Sequence, residues 1–161
     1  MIVAGNWKMN LNINEAIELS NGLLKHNEIF DKEKIIIFPS FLIIPEIYNL
    51  YKNSKISIGA QDCSMYDNGA FTGQVSAEMI KDAGCKYVII GHSERRSLCH
   101  ETSSIVSQKA VKAVSAGLKV IICIGENSKD REKGDYLFVL EDQLKQSLSD
   151  LSSDNNLLSN N

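Results

Sequence analysis

The sequence predicts an α/β protein whose β-strands are parallel and buried. Short β-branched runs alternate with longer amphipathic runs, and each run ends in Gly, Pro or a polar cluster. The strand candidates are too continuously apolar to face water on one side, as is typical of parallel sheets covered on both faces. Strands and helices that alternate in this way are the pattern of βα units. A chain of 161 residues, 43% of them hydrophobic, is long enough for one domain with its own core.

Five βα units follow one another without a linker. The predicted strands span residues 2–4, 35–38, 56–60, 87–90 and 120–124. The predicted helices span residues 13–24, 43–51, 76–83, 103–116 and 136–148. Gly84 and Gly117 stand just after two of these helices, where glycine commonly ends a helix. We therefore expect a domain over residues 1–148 and a polar, disordered tail over residues 149–161, which is dominated by Ser, Asn and Asp.

Composition argues against several classes of partner. The net charge of −3 and the sequence pI near 5.6 provide no basic surface for nucleic acid or for an anionic membrane. The longest apolar run falls far short of the roughly 20 residues that a membrane span needs. The four cysteines form no C-x-x-C pair and the chain opens without a targeting leader, so we expect a cytoplasmic protein in a reducing compartment.

Polar clusters follow three of the predicted strands. They occupy residues 5–10, 61–64 and 91–96. Functional groups of parallel βα proteins collect at the carboxyl ends of the strands, so these clusters are expected to form one site. Lys8 and Asn6 offer an ammonium and an amide to an anion or a carbonyl. His92 comes just before a predicted helix, and the free N–H groups and positive dipole at the start of that helix favour a neutral imidazole. The residues alone predict a polarising site for a small anionic carbonyl compound.

Four motifs carry a resemblance to a known family. They are A-G-N-W-K-M-N at 4–10, N-G-A-F-T-G-Q-V-S at 68–76, V-I-I-G-H-S-E-R-R at 88–96, and C-I-G-E with D-R-E-K-G between 123 and 134. Their order and spacing closely resemble the triosephosphate isomerase family from residue 2 to about residue 148. The resemblance implies a (β/α)₈ barrel fold, of which this chain supplies an incomplete barrel of about five βα units with parallel strands.

The resemblance also implies roles for individual residues. Asn6 and Lys8 would bind the substrate, His92 would be the electrophile that donates to the substrate carbonyl oxygens, and Glu94 would orient Lys8. Lys8, His92 and Glu94 are therefore the implied catalytic residues. Thr72 would lie near the tip of a loop that contacts a second subunit, which implies a homodimer when the barrel is complete.

Three features of the family's catalytic half are missing from the sequence. The family's general base is a glutamate in an A-Y-E-P-x-W context after strand six, and neither it, the lid loop nor the phosphate-binding turns are found here. No general base is therefore assigned in this chain, and activity of the chain alone is expected to be very low. A partial sequence, an interrupted gene and a split protein completed by a C-terminal segment are all compatible with this pattern. Five strands would also leave two sheet edges bare, which invites association.

Two hypotheses follow. The first is a triosephosphate isomerase polypeptide that interconverts dihydroxyacetone phosphate and glyceraldehyde 3-phosphate in glycolysis and gluconeogenesis, with a small phosphorylated triose as its substrate. The second is a catalytically inactive, truncated remnant or a subunit-interaction fragment. Neither requires a cofactor, because fixed donors can stabilise an enediolate without a metal or a nicotinamide. Arg95 and Arg96 are expected to be structural ion-pair partners.

Overall fold

The structure is a computed structural model that describes residues 1–26 and 33–152. Its centre is a five-stranded sheet in the order β1-β2-β3-β4-β5, and all four neighbouring pairs are parallel. The strands are β1 (Ile2–Asn6), β2 (Lys34–Phe38), β3 (Ser57–Ala60), β4 (Tyr87–Ile90) and β5 (Lys119–Ile122). The predicted fold class and all five predicted strands are confirmed, with shifts of one or two residues at their ends.

Helices connect the strands. In the described residues they are α1 (Ile13–Leu24), α2 (Ile44–Tyr51), α3 (Ala77–Asp82), α4 (Ser93–Leu98), α5 (Ser103–Ser115), α6 (Ser128–Lys133), α7 (Tyr136–Ser147) and α8 (Ser149–Ser152). A 3₁₀ turn, Phe41–Ile43, precedes α2. α1 begins with a complete capping box, in which the Asn12 side chain accepts from the Glu15 N–H and the Glu15 carboxylate accepts from the Asn12 N–H.

The strand order makes the sheet a partial barrel. Because crossovers between parallel strands are right-handed, sequential order places every connecting helix on the same face of the sheet. The outer face packs against these helices in a large core that includes Ile37, Ile58 and Val88. The inner face carries a separate apolar cluster around Phe38 and Tyr87. An α/β sheet with all its helices outside and an apolar inner face has the architecture of a curled half-barrel.

The two edge strands are more exposed than the centre of the sheet. All four residues of β4 are buried, whereas Ile2 and Val3 of β1 are 60% and 45% exposed. β5, at the other edge, is only partly buried. This agrees with the expectation that the first and fifth strands lie at open edges.

The predicted tail needs a correction at its start. Ser149–Ser152 form α8 instead of a disordered segment, because Leu151 is buried in the main core and the Asp150 N–H donates to the Ser107 hydroxyl. The rest of the predicted tail, residues 153–161, lies outside the described residues. The sequence prediction also missed α6.

Candidate active site

A cleft of about 530 Å³ opens at the carboxyl ends of the strands. Its walls come from the segment after β1, the segment after β3, and α4 with the residues that follow it. Of the residues predicted for the site, Asn6, Lys8, His92 and Glu94 all line this cleft. The predicted clustering of polar groups at one edge of the sheet is therefore present in the structure.

Lys8 sits in a strained backbone conformation that its neighbours hold in place. Its φ angle is +53°, in the left-handed region that costs a residue with a side chain about 1–2 kcal/mol. The Lys8 N–H donates to Asn6 Oδ1 at 2.9 Å, and Gln61 Nε2 donates to the Lys8 carbonyl at 2.9 Å and to the Phe38 carbonyl at 2.8 Å. Asn6 and Gln61 therefore fix the loop that presents the lysine. Strain retained by surrounding contacts is common at functional sites.

An ion pair joins the first strand end to the fourth. Lys8 Nζ donates to Glu94 Oε1 at 2.7 Å, although the two residues are far apart in sequence. The hydrogen bond from Lys8 holds the pKa of Glu94 below its ordinary value. The carboxylate is thus kept charged and oriented, and it is a weak base. The lysine head stays half exposed at the cleft, with a side-chain exposure of 51%.

His92 is both the N-cap of α4 and a wall of the cleft. Its Nδ1 accepts a hydrogen bond from the Glu94 N–H at 3.3 Å. An acceptor nitrogen carries no proton, so in the neutral ring the proton lies on Nε2. The imidazole is mostly buried, with 22% of its side chain exposed, and Nδ1 also lies 3.4 Å from Glu94 Oε2. With the Glu94 N–H donating to Nδ1, Nε2 is the donor available to a ligand.

α4 is held by its two arginines. Arg96 donates from Nε to the Gly91 carbonyl at 2.8 Å, from Nη2 to the Cys123 carbonyl at 3.2 Å, and from Nη2 to the Ser147 hydroxyl at 3.1 Å. Arg95 points to the other side and pairs with Asp62 and Glu101. The predicted ion-pair role is present for Arg95. For Arg96 the prediction is wrong, because its guanidinium donates to carbonyl and hydroxyl oxygens that tie α4 to the end of β5 and to α7.

A buried charge cluster lies beneath α4, and it consists of Asp62, Arg95, Glu101 and Lys109. Lys109 Nζ contacts Asp62 Oδ1 at 2.7 Å and Glu101 Oε1 at 2.5 Å, and its side chain is 5% exposed. Burial raises the pKa of Asp62, while Lys109 and Arg95 act in the opposite direction. Oε2 of Glu101 is buried and has no hydrogen-bond partner among the described residues. Sequence reasoning missed this cluster.

Thr72 lies apart from the cleft. It sits in an exposed turn of the segment between β3 and α3. This segment is internally braced, because Tyr66 and Phe71 stack with ring centroids 4.2 Å apart and the Ser76 hydroxyl donates to Asn68 Oδ1 at 3.0 Å. Thr72 therefore lies in an exposed turn of an internally braced segment.

Residues 1–26 and 33–152 contain neither a metal-ligand cluster nor a membrane-spanning helix. No group of three or more His, Cys, Asp or Glu side chains there could hold a metal ion. Within the same ranges, every helix is too short or too polar to cross a bilayer.

Fold and site together define part of an α/β barrel with a polar cleft at the carboxyl ends of its strands. The family model of triosephosphate isomerase matches residues 1–158. The chain belongs to the triosephosphate isomerase family.

Individual relatives agree with this assignment. Triosephosphate isomerase of Lawsonia intracellularis is 46% identical over 95% of this chain, and that of Prosthecochloris aestuarii is 44% identical over 91%. The crystal structure of triosephosphate isomerase from Bartonella henselae superposes with a TM-score of 0.82 at 37% identity over 91% of this chain. The chain spans 61% of the Lawsonia relative, 59% of the Prosthecochloris relative and 61% of the Bartonella chain.

Proposed function

We propose that the chain carries the substrate-polarising part of a triosephosphate isomerase active site. The substrates would be dihydroxyacetone phosphate and glyceraldehyde 3-phosphate. The observation that carries the proposal is the joint presentation of the His92 ring, with Nδ1 occupied by a backbone N–H, and of the Lys8 ammonium at one cleft. Both groups stabilise negative charge that develops on a carbonyl oxygen.

The chemistry assigns a separate step to each group. The Nε2–H of His92 donates to the substrate carbonyl oxygen, so that the adjacent C–H becomes more acidic. A base removes that proton and the electron pair moves into the C–C bond, which gives an enediolate. Lys8 offsets the negative charge of the enediolate and of the phosphate, and Asn6 helps to hold both the lysine loop and the substrate. His92 gives its Nε2 proton to the former carbonyl oxygen and takes a proton from the neighbouring hydroxyl, which becomes the new carbonyl. Return of the proton from the base to the former carbonyl carbon completes the aldose–ketose exchange.

The base would come from a polypeptide other than this chain. Glu94 is the carboxylate nearest to the histidine, but its hydrogen bond with Lys8 lowers its pKa and makes it a poor proton acceptor. Asp62 is engaged by Lys109 and Arg95. Positioned general acid–base catalysis contributes about 10²–10⁴-fold, so the chain by itself is expected to turn over very slowly.

The proposed partner is a second subunit. The exposed turn at Thr72 and the braced segment that carries it would contact the neighbouring copy, as the family resemblance implies. The four cysteines are free in the structure, in keeping with the proposed cytoplasmic location.

Binding and complementation test the proposal. Phosphoglycolate is the probe, since its carboxylate resembles an enediolate and its phosphate resembles that of the substrate. We expect it to bind the folded chain, to shift the ring resonances of His92 in NMR spectra, and to bind more weakly to the Lys8→Met variant.

Isomerase activity is then measured with and without a second polypeptide, the part of the Lawsonia relative that this chain does not match. We expect activity to appear with the second polypeptide and to vanish in His92→Gln prepared in the same way. A folded chain that binds no phosphoglycolate and gains no activity on complementation would contradict the proposal and favour an inactive remnant.

A further inference from the structure

The orientation of α4 does not come from apolar packing. The helix has six residues, and each keeps part of its side chain exposed to solvent. Burial of apolar area, which fixes most helices in a domain, is therefore weak here. Polar contacts of Arg95 and Arg96 replace it, and His92 is the residue that caps this helix.

Arg95 contacts two carboxylates that would repel each other without a further cation. Its Nε lies 2.9 Å from Asp62 Oδ2 and 2.6 Å from Glu101 Oε1. Asp62 and Glu101 have side-chain exposures of 12% and 6%, so water screens their charges poorly. Two carboxylates that share a buried site cannot both stay ionised unless nearby positive charges compensate for them.

Lys109 supplies this compensation from a third element. Its Nζ spans both Asp62 oxygens, at 2.7 and 2.8 Å, and also reaches Glu101 Oε1 at 2.5 Å. The cluster then contains two positive and two negative side chains and is electrically balanced. The Glu101 N–H also donates to the Arg95 carbonyl at 3.2 Å, so that the carboxylates, the lysine and α4 form one connected unit.

We propose that Lys109 is a positioning residue for His92, acting through Asp62, Glu101 and Arg95. Lys109 holds the two carboxylates as a fixed pair, and the pair holds Arg95. Arg95 fixes one side of α4, and the contacts of Arg96 fix the other. The N-terminal end of α4 in turn presents the Glu94 N–H to Nδ1 of His92. The inference rests on the proposed role of His92, but it concerns the ring's hydrogen bond and can be tested without substrate.

The test is an NMR spectrum of the full chain with ¹⁵N-labelled histidine, recorded without ligand at a pH where the ring is neutral. His92→Gln identifies the resonances. When one tautomer dominates, the two ring nitrogens give widely separated resonances, and exchange between tautomers brings them together. We expect the two ring-nitrogen resonances of His92 to be widely separated in the unmodified chain and to converge in Lys109→Met.

Lys112→Met is the matched control. It removes a partly exposed lysine of the same helix and should leave the His92 spectrum unchanged.

A second variant tests the charge balance directly. Lys109→Met together with Asp62→Asn removes one positive and one negative charge and leaves the Arg95–Glu101 pair in place. We expect this double variant to recover the wide separation of the His92 resonances. This double variant also tests the role of the charge balance if Lys109→Met alone does not fold.

Two outcomes would overturn the inference. One is a folded Lys109→Met chain whose His92 spectrum matches the unmodified protein, and the other is a folded double variant whose resonances stay converged. Failure of the proposed function would look different, since the chain would then bind no phosphoglycolate whatever the His92 spectrum of these variants.

Discussion

The Lys8–Glu94 pair allows a prediction at the scale of single residues. Because the hydrogen bond from Lys8 lowers the pKa of Glu94 from its ordinary 4.5, the pair exists above the lowered pKa and is lost as the pH falls through it. In Lys8→Met the pKa of Glu94 should therefore move up. An NMR titration of the Glu94 side-chain carboxyl carbon measures the change.

Lys145→Met is the control for this titration. It removes the exposed partner of Glu141, whose pKa Lys145 lowers in the same way, and should move only the pKa of Glu141. An unchanged pKa of Glu94 in Lys8→Met would show that the ion pair does not form in solution.

The cysteines provide a second prediction at this scale. Burial raises the pKa of Cys63 and of Cys85 to about 12, so neither thiol forms the reactive thiolate near neutral pH. Cys99 is exposed. A disulfide reagent at pH 8 should modify Cys99 first and should reach Cys63 and Cys85 only after unfolding in urea. Mass spectrometry identifies the modified residues, and Cys99→Ser should lose the fast phase of modification. Fast modification of Cys63 in the native chain would contradict the burial of its side chain.

At the scale of elements, Gly59 shows how a strand makes room for the inner face of the barrel. A Cβ at this position of β3 would lie 2.2 Å from Phe38 Cε1 and 2.9 Å from Tyr87 Cβ. Phe38 is fully buried and cannot move aside freely. Gly59→Ala should therefore cost about 1–3 kcal/mol of unfolding free energy, as overpacked cores do.

Gly5 of β1 is the matched control for Gly59. A Cβ there meets only Ile37 Cγ2, at 4.0 Å. Gly5→Ala should be neutral or stabilising by about 0.4–1 kcal/mol, since it reduces the freedom of the unfolded chain. Urea unfolding measures both variants, and equal midpoints for Gly59→Ala and Gly5→Ala would refute the steric argument.

Elements with an apolar face were predictable from the sequence, whereas the polar helix α6 was not. β4 is continuously apolar and β2 is apolar after Lys34, so the pattern identified both strands. α6 reads S-K-D-R-E-K and buries no residue; its ends are set by Asn127, which accepts from the Asp130 N–H, and by Gly134 at φ +83°. Such local caps carry little weight in a periodicity search.

Long-range polar contacts account for what was missed at the site. His92 and Lys8 could be placed because each comes two residues after the end of a strand. Lys109 lies in the middle of α5 and looks like a solvated charge, until the fold brings it to Asp62. Pairings between residues far apart in sequence leave no local pattern, so the buried charge cluster emerges only with the structure.

At the scale of the whole molecule, the open sheet edge at β1 predicts self-association of the 161-residue chain. An exposed edge offers unpaired N–H and C=O groups beside apolar side chains, and Val3 is 45% exposed there. Natural edge strands avoid pairing by carrying lysine, so Val3→Lys should reduce the amount of species larger than a dimer.

Leu19→Lys is the control, because it adds the same charge away from the edge, at a position of α1 that is 41% exposed. It should not reduce the amount of these larger species. Sedimentation velocity over a range of protein concentrations separates the two variants. If both variants associate like the unmodified chain, the contact does not run through β1, and the exposed apolar side chains of α7, Leu137 and Phe138, become the surface to alter next.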